Sequence, residues 1–200
     1  MNNTIFHVCQ KNTKHFIENN PDKLIVLIIP FSDPIAEDPI IQTQWTESLK
    51  DGFNIKDLFK TLQTLKHHST LIIKTYANVV YSYGKDYFMN ECEKANISGL
   101  IIPDLPFEEK EEFDDYCNNH RASLIPIVST TSLTRISKIL SSPSDYVYLS
   151  YRSQDHLENT IQEIKKYTNA YIIKSWRICQ LLLYDLEYIK FQIRCFFHTP

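Results

Sequence analysis

Glycine is nearly missing: Gly52, Gly84 and Gly99 are all that a chain of 200 residues contains, where about 7% is ordinary. So little glycine leaves few places for backbone to press against a phosphate, and no glycine-rich fingerprint follows the first apolar strand, so a dinucleotide-binding fold has no support. A positive surplus is missing as well. Twenty-one Lys and Arg stand against 24 Asp and Glu, a net charge of -3, and the lysines are scattered, so nucleic acid is excluded as a partner. The longest apolar run, Leu24 to Phe31, is far short of the ~20 residues a membrane span needs. The opening "MNNTIFHVCQ" has no basic region followed by an apolar one, and the expectation is a soluble, cytoplasmic protein with no membrane partner. Cysteines 9, 92, 117, 179 and 195 form no CxxC pair, and their odd number argues for reduced, buried thiols. No HExxH or HxxxH spacing occurs, no metal is expected, and His67-His68 reads as a surface turn between a helix and a strand.

What the chain does have is a succession of short apolar, β-rich runs: "LIVLII" (24–29), "LIIKTY" (71–76), "GLIIPD" (99–104), "SLIPIVS" (123–129), "DYVYLSY" (145–151) and "AYIIKS" (170–175). Most are continuous rather than alternating, the pattern of parallel strands covered on both faces. Helical stripes lie between them. "NIKDLFKTLQTL" aligns Ile55, Leu58, Phe59, Leu62 and Leu65 behind an Asn54 N-cap, and "DHLENTIQEIKKY" starts at Asp155 with Glu158 at N3 and aligns Leu157, Ile161 and Ile164. From the second run onward the starts fall 22 to 28 residues apart, the length of one strand, one helix and two short loops. Repeated right-handed βα units of this kind build either a doubly wound sheet or a (β/α)₈ barrel, in one domain over residues 1–200.

One spacing is different, since 47 residues separate the starts of the first and second runs. The connection from Pro30 to about Phe53 is too long for a plain link, and it follows the carboxyl end of a strand, where both architectures place their sites. The competing reading is a decorative insertion with a short helix around "QTQWTESLK".

"IPFSDPIAEDPIIQ" (29–42), "TYANVVYSYG" (75–84), "GLIIPDLPFEE" (99–109), "TTSLTRISKI" (130–139) and "DYVYLS" (145–150) resemble, in order and at matching spacing, segments of the tryptophan synthase alpha subunit family over about residues 10 to 178. The resemblance implies a (β/α)₈ TIM barrel that cleaves indole-3-glycerol phosphate to indole and glyceraldehyde 3-phosphate. It also implies a tryptophan synthase beta subunit as partner in an alpha2beta2 assembly, with pyridoxal phosphate held by that partner and no cofactor in this chain. Retro-aldol cleavage needs one group to take a hydroxyl proton and protonate the indole ring, and another to stabilise positive charge on the indole nitrogen. In the family a glutamate and an aspartate do this.

Here the glutamate position is Val26 and the aspartate position is Glu37, with Asp38 in place of a glycine. By resemblance, Tyr76, Asp104 and Tyr148 match positions near the substrate, and Asp33 and Asn78 match positions that face the partner. The plain readings remain open: barrel-filling tyrosines, and a strand-end turn for Asp104. The loop after "YVYLSY" lacks glycine, Trp176 and Arg177 stand where the family has glycine-containing phosphate loops, and an arginine-phosphate pair is the substitute that Arg177 suggests. Lys74, inward by alternation where the family is apolar, reads either as a Schiff-base lysine or as one tolerated in an opened core.

A barrel of this kind needs about 250 residues. The expectation is therefore an incomplete barrel of about six βα units, its first and last strands missing or replaced, with an atypical tail at 180–200. Three functions follow: a lyase whose activity is lost or strongly reduced, a non-catalytic module that binds and modulates the beta subunit, or a decaying remnant.

Overall fold

A computed structural model describes residues 6–8, 13–34, 37, 39–151 and 155–175 of the chain. Asp38, residues 152–154, Trp176, Arg177, Cys9, Cys179, Cys195 and the tail 180–200 lie outside the described residues.

Among the described residues every strand pairing is parallel. One sheet runs in the order β1 (Phe6–Val8), β2 (Leu24–Ile28), β3 (Thr70–Lys74), β4 (Ile97–Ile101) and β5 (Ser123–Leu124), and a second holds β6 (Ile127–Ser129), β7 (Tyr146–Ser150) and β8 (Tyr171–Ser175). β5 and β6 are two halves of one strand path, split at Ile125-Pro126. Proline has no N–H to give the ladder, so pairing stops there. Ile125 N–H still donates to Leu100 O at 2.8 Å, and Pro126 O accepts from Tyr148 N–H at 2.9 Å, which joins the two sheets into one curved surface. All six apolar runs are strands, the fourth in two pieces.

Two expectations need correction. The first strand is not missing: Phe6–Val8 pairs with β2 in the register Phe6↔Ile25, His7↔Val26 and Val8↔Leu27. A strand of three residues and a helix of six, α1 (Thr13–Glu18), fit into a segment too short for full-length elements. Asp155 does not cap its helix either, because His156 adopts φ 61° and α8 (Leu157–Ile164) begins one residue later, with His156 as the N-cap. A left-handed residue redirects the chain before the helix can start, which pushes Glu158 one position nearer the N-terminus.

Helices cover the outer side of this surface. On β2 the alternate residues Ile25 and Leu27 pack, with Leu71, Ile73 and Leu100, against Leu58, Phe59 and Leu62 of α3 (Ile55–Thr64), Phe88 and Met89 of α5 (Lys85–Lys94), and Phe113 of α6 (Glu111–Asn119). The intervening residues Leu24, Val26, Ile72, Ile101, Tyr148 and Ile173, with Ile125 at the break between β5 and β6, form a separate buried cluster to which no helix contributes. An inner layer without helix side chains is a barrel interior, and it decides against a doubly wound sheet, which carries helices on both faces. α3 has its expected cap, Asn54 Oδ1 accepting from Lys56 N–H at 2.9 Å, and its expected stripe. The described cysteines, Cys92 and Cys117, are buried free thiols whose pKa burial pushes up, to about 12 for Cys117.

Gly99 has a packing role inside β4. A Cβ there would lie 2.8 Å from Ile125 Cδ1 and 3.0 Å from the backbone oxygen of Ser123. Gly99→Ala is expected to cost about 1–3 kcal/mol of stability, read as a lower midpoint in urea; an unchanged midpoint would show that β4 and β5 separate without cost.

Candidate active site

The carboxyl ends of parallel strands point their last side chains and following loops to one end of the barrel, and the candidate residues gather there. Ile28 on β2 is opposite Lys74 on β3, and Lys74 is opposite Ile101 on β4. One layer deeper, Val26 is opposite Ile72. Val26 is fully buried at 0% exposure among the interior residues that include Tyr148, so the position holds a hydrocarbon with no proton to give or take.

Above it, Lys74 is the one charged side chain in the buried class among the described residues. Its Nζ donates to Glu37 Oε1 at 2.7 Å and lies 5.7 Å from the centre of the Tyr148 ring. Both partners are withdrawn from water, with side-chain exposures of 8% for Lys74 and 16% for Glu37. Burial, the largest influence on Lys74, pulls its pKa down; the negative charge of Tyr148 once ionised and then that of the Glu37 carboxylate together more than reverse this, so it stands above the ordinary 10.5. The pairing works against the Schiff-base reading of Lys74, because attack on a carbonyl needs a free, neutral amine and this one is bonded to a carboxylate at 2.7 Å. The opened-core reading fails too, since the ammonium is enclosed and paired.

Tyr76, two residues past the end of β3, closes the layer above. It is buried against Phe31, with ring centres 5.0 Å apart, and edge-on to Trp45 of α2 (Pro39–Lys50) at 6.1 Å. Asp104, after β4, accepts from Ala77 N–H at 3.0 Å and 3.2 Å. Tyr76, the N-cap of α4 (Ala77–Tyr83), makes no side-chain cap bond, so Asp104 caps that helix from the neighbouring strand, where its charge also suits the helix dipole. This is the plain turn-residue role, carried across two strands.

Asp33 and Asn78 point elsewhere. Asp33 is exposed and accepts from Ser32 Oγ at 2.7 Å. Asn78 is exposed and lines a shallow cleft with Phe31, Ile55, Val79, Ser82 and Tyr83. Glu37, Lys74, Tyr148 and Tyr76 are thus brought together, with Val26 beneath them, while Asp104, Asp33 and Asn78 are not part of that cluster. The Lys74–Glu37 bond is what reading the sequence missed. Its signal was a lone lysine in an apolar strand beside a strand whose following loop carries acids.

Removing one partner of a pair this dry leaves a buried charge uncompensated. Lys74→Met is expected to cost about 3 kcal/mol, and Lys74→Met with Glu37→Gln to recover most of it, as measured by urea denaturation. A group whose folded pKa is raised stabilises fully below its unfolded value and loses that contribution as pH rises through the folded one. The gap between wild type and Lys74→Met should therefore stay constant up to about pH 10 and shrink above it; a gap that closes near neutral pH would contradict a charged pair.

The sequence model of the family described as "Tryptophan synthase alpha chain" matches residues 9–178. The tryptophan synthase alpha chain of Petrotoga mobilis is 37% identical over 174 residues, covering 78% of this chain and 67% of that protein. That of Clostridium beijerinckii is 34% identical over 134 residues, covering 66% and 52%. The chain thus spans between about half and two thirds of the length of these relatives. Among solved structures, the tryptophan synthase subunit alpha from Campylobacter jejuni superposes with a TM-score of 0.77 at 25% identity, covering 87% of this chain and 77% of that one. A tryptophan synthase complex from Pyrococcus furiosus gives 0.76 at 22%, over 86% and 76%.

Proposed function

The chain belongs to the tryptophan synthase alpha chain family, and from that premise we propose that it is a barrel of indole-3-glycerol phosphate lyase descent whose cleavage activity is lost or strongly reduced. The observation that carries this reading is Val26, fully buried in the barrel interior where the family's acid-base glutamate belongs. Breaking the carbon-carbon bond requires a group that takes the hydroxyl proton and returns one to the indole ring, and losing such a group costs on the order of 10²–10⁴ in rate.

The second carboxylate is committed elsewhere. Glu37 could stabilise a positive indole nitrogen only by releasing Lys74, to which it is bonded at 2.7 Å in a nearly dry site. The sequence beyond Gly99 contains no glycine at all, which works against a phosphate cradle built from closely approaching backbone. Substrate affinity therefore falls together with turnover.

A second reading has its own support. Asp33 and Asn78, the positions that match the family's partner-facing residues, are both exposed, and Asn78 borders a cleft open on Phe31 and Val79. On that reading the chain docks on a pyridoxal-phosphate beta subunit and alters its use of free indole without making any. A solved neighbour from Pyrococcus furiosus is described as a tryptophan synthase a2b2 complex, and assembly of this kind is a proposal for the present chain.

With an equal amount of beta subunit, the purified chain is expected to release indole from indole-3-glycerol phosphate at least about 10²-fold more slowly than a family member that keeps both acids; turnover within tenfold of that relative would end the impaired-lyase reading. Docking is checked separately, by co-elution with the beta subunit and its loss in Asn78→Arg. Failure of the wild-type chain to co-elute would remove the module reading.

A further inference from the structure

Lys74 is fixed by the sheet. It ends β3, a strand whose residues 71 to 74 are all buried, and its neighbours across the ladder, Ile28 and Ile101, offer it no hydrogen-bonding group. An ammonium in such a place needs an anion, because burying it alone costs far more than a hydrogen bond returns. The anion it has is contributed from 37 residues away in sequence, by the connection that leads from β2 toward α2. The wall beside it is aromatic, with the Tyr148 ring 5.7 Å from Nζ. The arrangement is that of a carboxylate seated on a buried cation against an aromatic face, and the seated carboxylate is the chain's own.

We propose that the end of the barrel is a monocarboxylate-binding site held occupied by Glu37, so that Glu37 acts as an internal, autoinhibitory ligand of Lys74. One ammonium matches one negative charge. A phosphate dianion would bring a second charge with no cation among the described interior residues to meet it, since Lys74 is the only charged residue in the buried class. A free acid enters only in exchange for Glu37. A tethered group competes at an effective concentration on the order of millimolar, so the wild-type site yields only to acids well above that level.

Vacating the seat exposes the site. In Glu37→Ala, formate or acetate at tens of millimolar is expected to raise the melting temperature by about 3 °C relative to chloride at equal ionic strength. The same salts raise the wild type, where Glu37 competes, by clearly less than Glu37→Ala, they leave Glu37→Ala with Lys74→Met no different from chloride, and inorganic phosphate gives no more than chloride in any variant. If Glu37→Ala is unfolded at the outset, the expected result is recovery of its far-ultraviolet circular dichroism and cooperative melt in formate but not in chloride. The proposal is overturned if carboxylates have no specific effect on Glu37→Ala, if the double variant responds equally, or if phosphate outperforms formate. None of these readouts depends on cleavage of indole-3-glycerol phosphate, so they are separable from failure of the lyase reading.

Discussion

A charge sealed inside an apolar barrel has to be neutralised by something that can reach it, and that requirement organises the active end of this molecule. Lys74 sits where the strand order leaves it no water, and Glu37 meets it at 2.7 Å. The consequences spread outward from that bond. It ties the connection after β2 to the end of β3, and it holds the Glu37 carboxylate on the Lys74 ammonium. It also leaves the layer above, Tyr76 with Phe31 and Trp45, to close as an aromatic stack. Val26 below adds only hydrocarbon to the interior layer on which that pair rests.

The architecture was readable in the chain because parallel strands buried on both faces leave an unmistakable mark: continuous apolar runs at a regular spacing. All six were found, and so was the α3 stripe with its Asn54 cap. What went astray were short features. Three residues suffice for β1 when a neighbouring strand supplies the ladder, and no pattern of period two can be recognised in so brief a run. The start of α8 depended on a left-handed His156, a backbone choice that its residue type does not announce.

The site was legible residue by residue but not as an arrangement. Val26, Glu37 and Lys74 each stood out against their surroundings, Val26 and Glu37 by resemblance and Lys74 by its charge in a strand. That two of them bond each other is a fact about the angle at which a connection folds back over a neighbouring strand, and spacing along the chain does not contain it. Asp104 shows the same limit. Its turn-like position after Pro103 was visible, whereas its service to α4 requires knowing that β3 and β4 lie side by side.

The break at Ile125-Pro126 has a bearing on how the molecule comes apart. On the outer surface, the apolar residues gather into two separate clusters, one around Phe59, Phe88 and Phe113 and the other around Val147, Leu149 and Ile161. Between them the strand ladder is interrupted at the midpoint of one strand path, while the inner cluster runs across both sheets. Cooperativity is transmitted by continuous packing and hydrogen bonding, and here both thin out at the same place. The inner layer, drawn from both sheets, is thus what holds the two halves of the outer packing together across the proline.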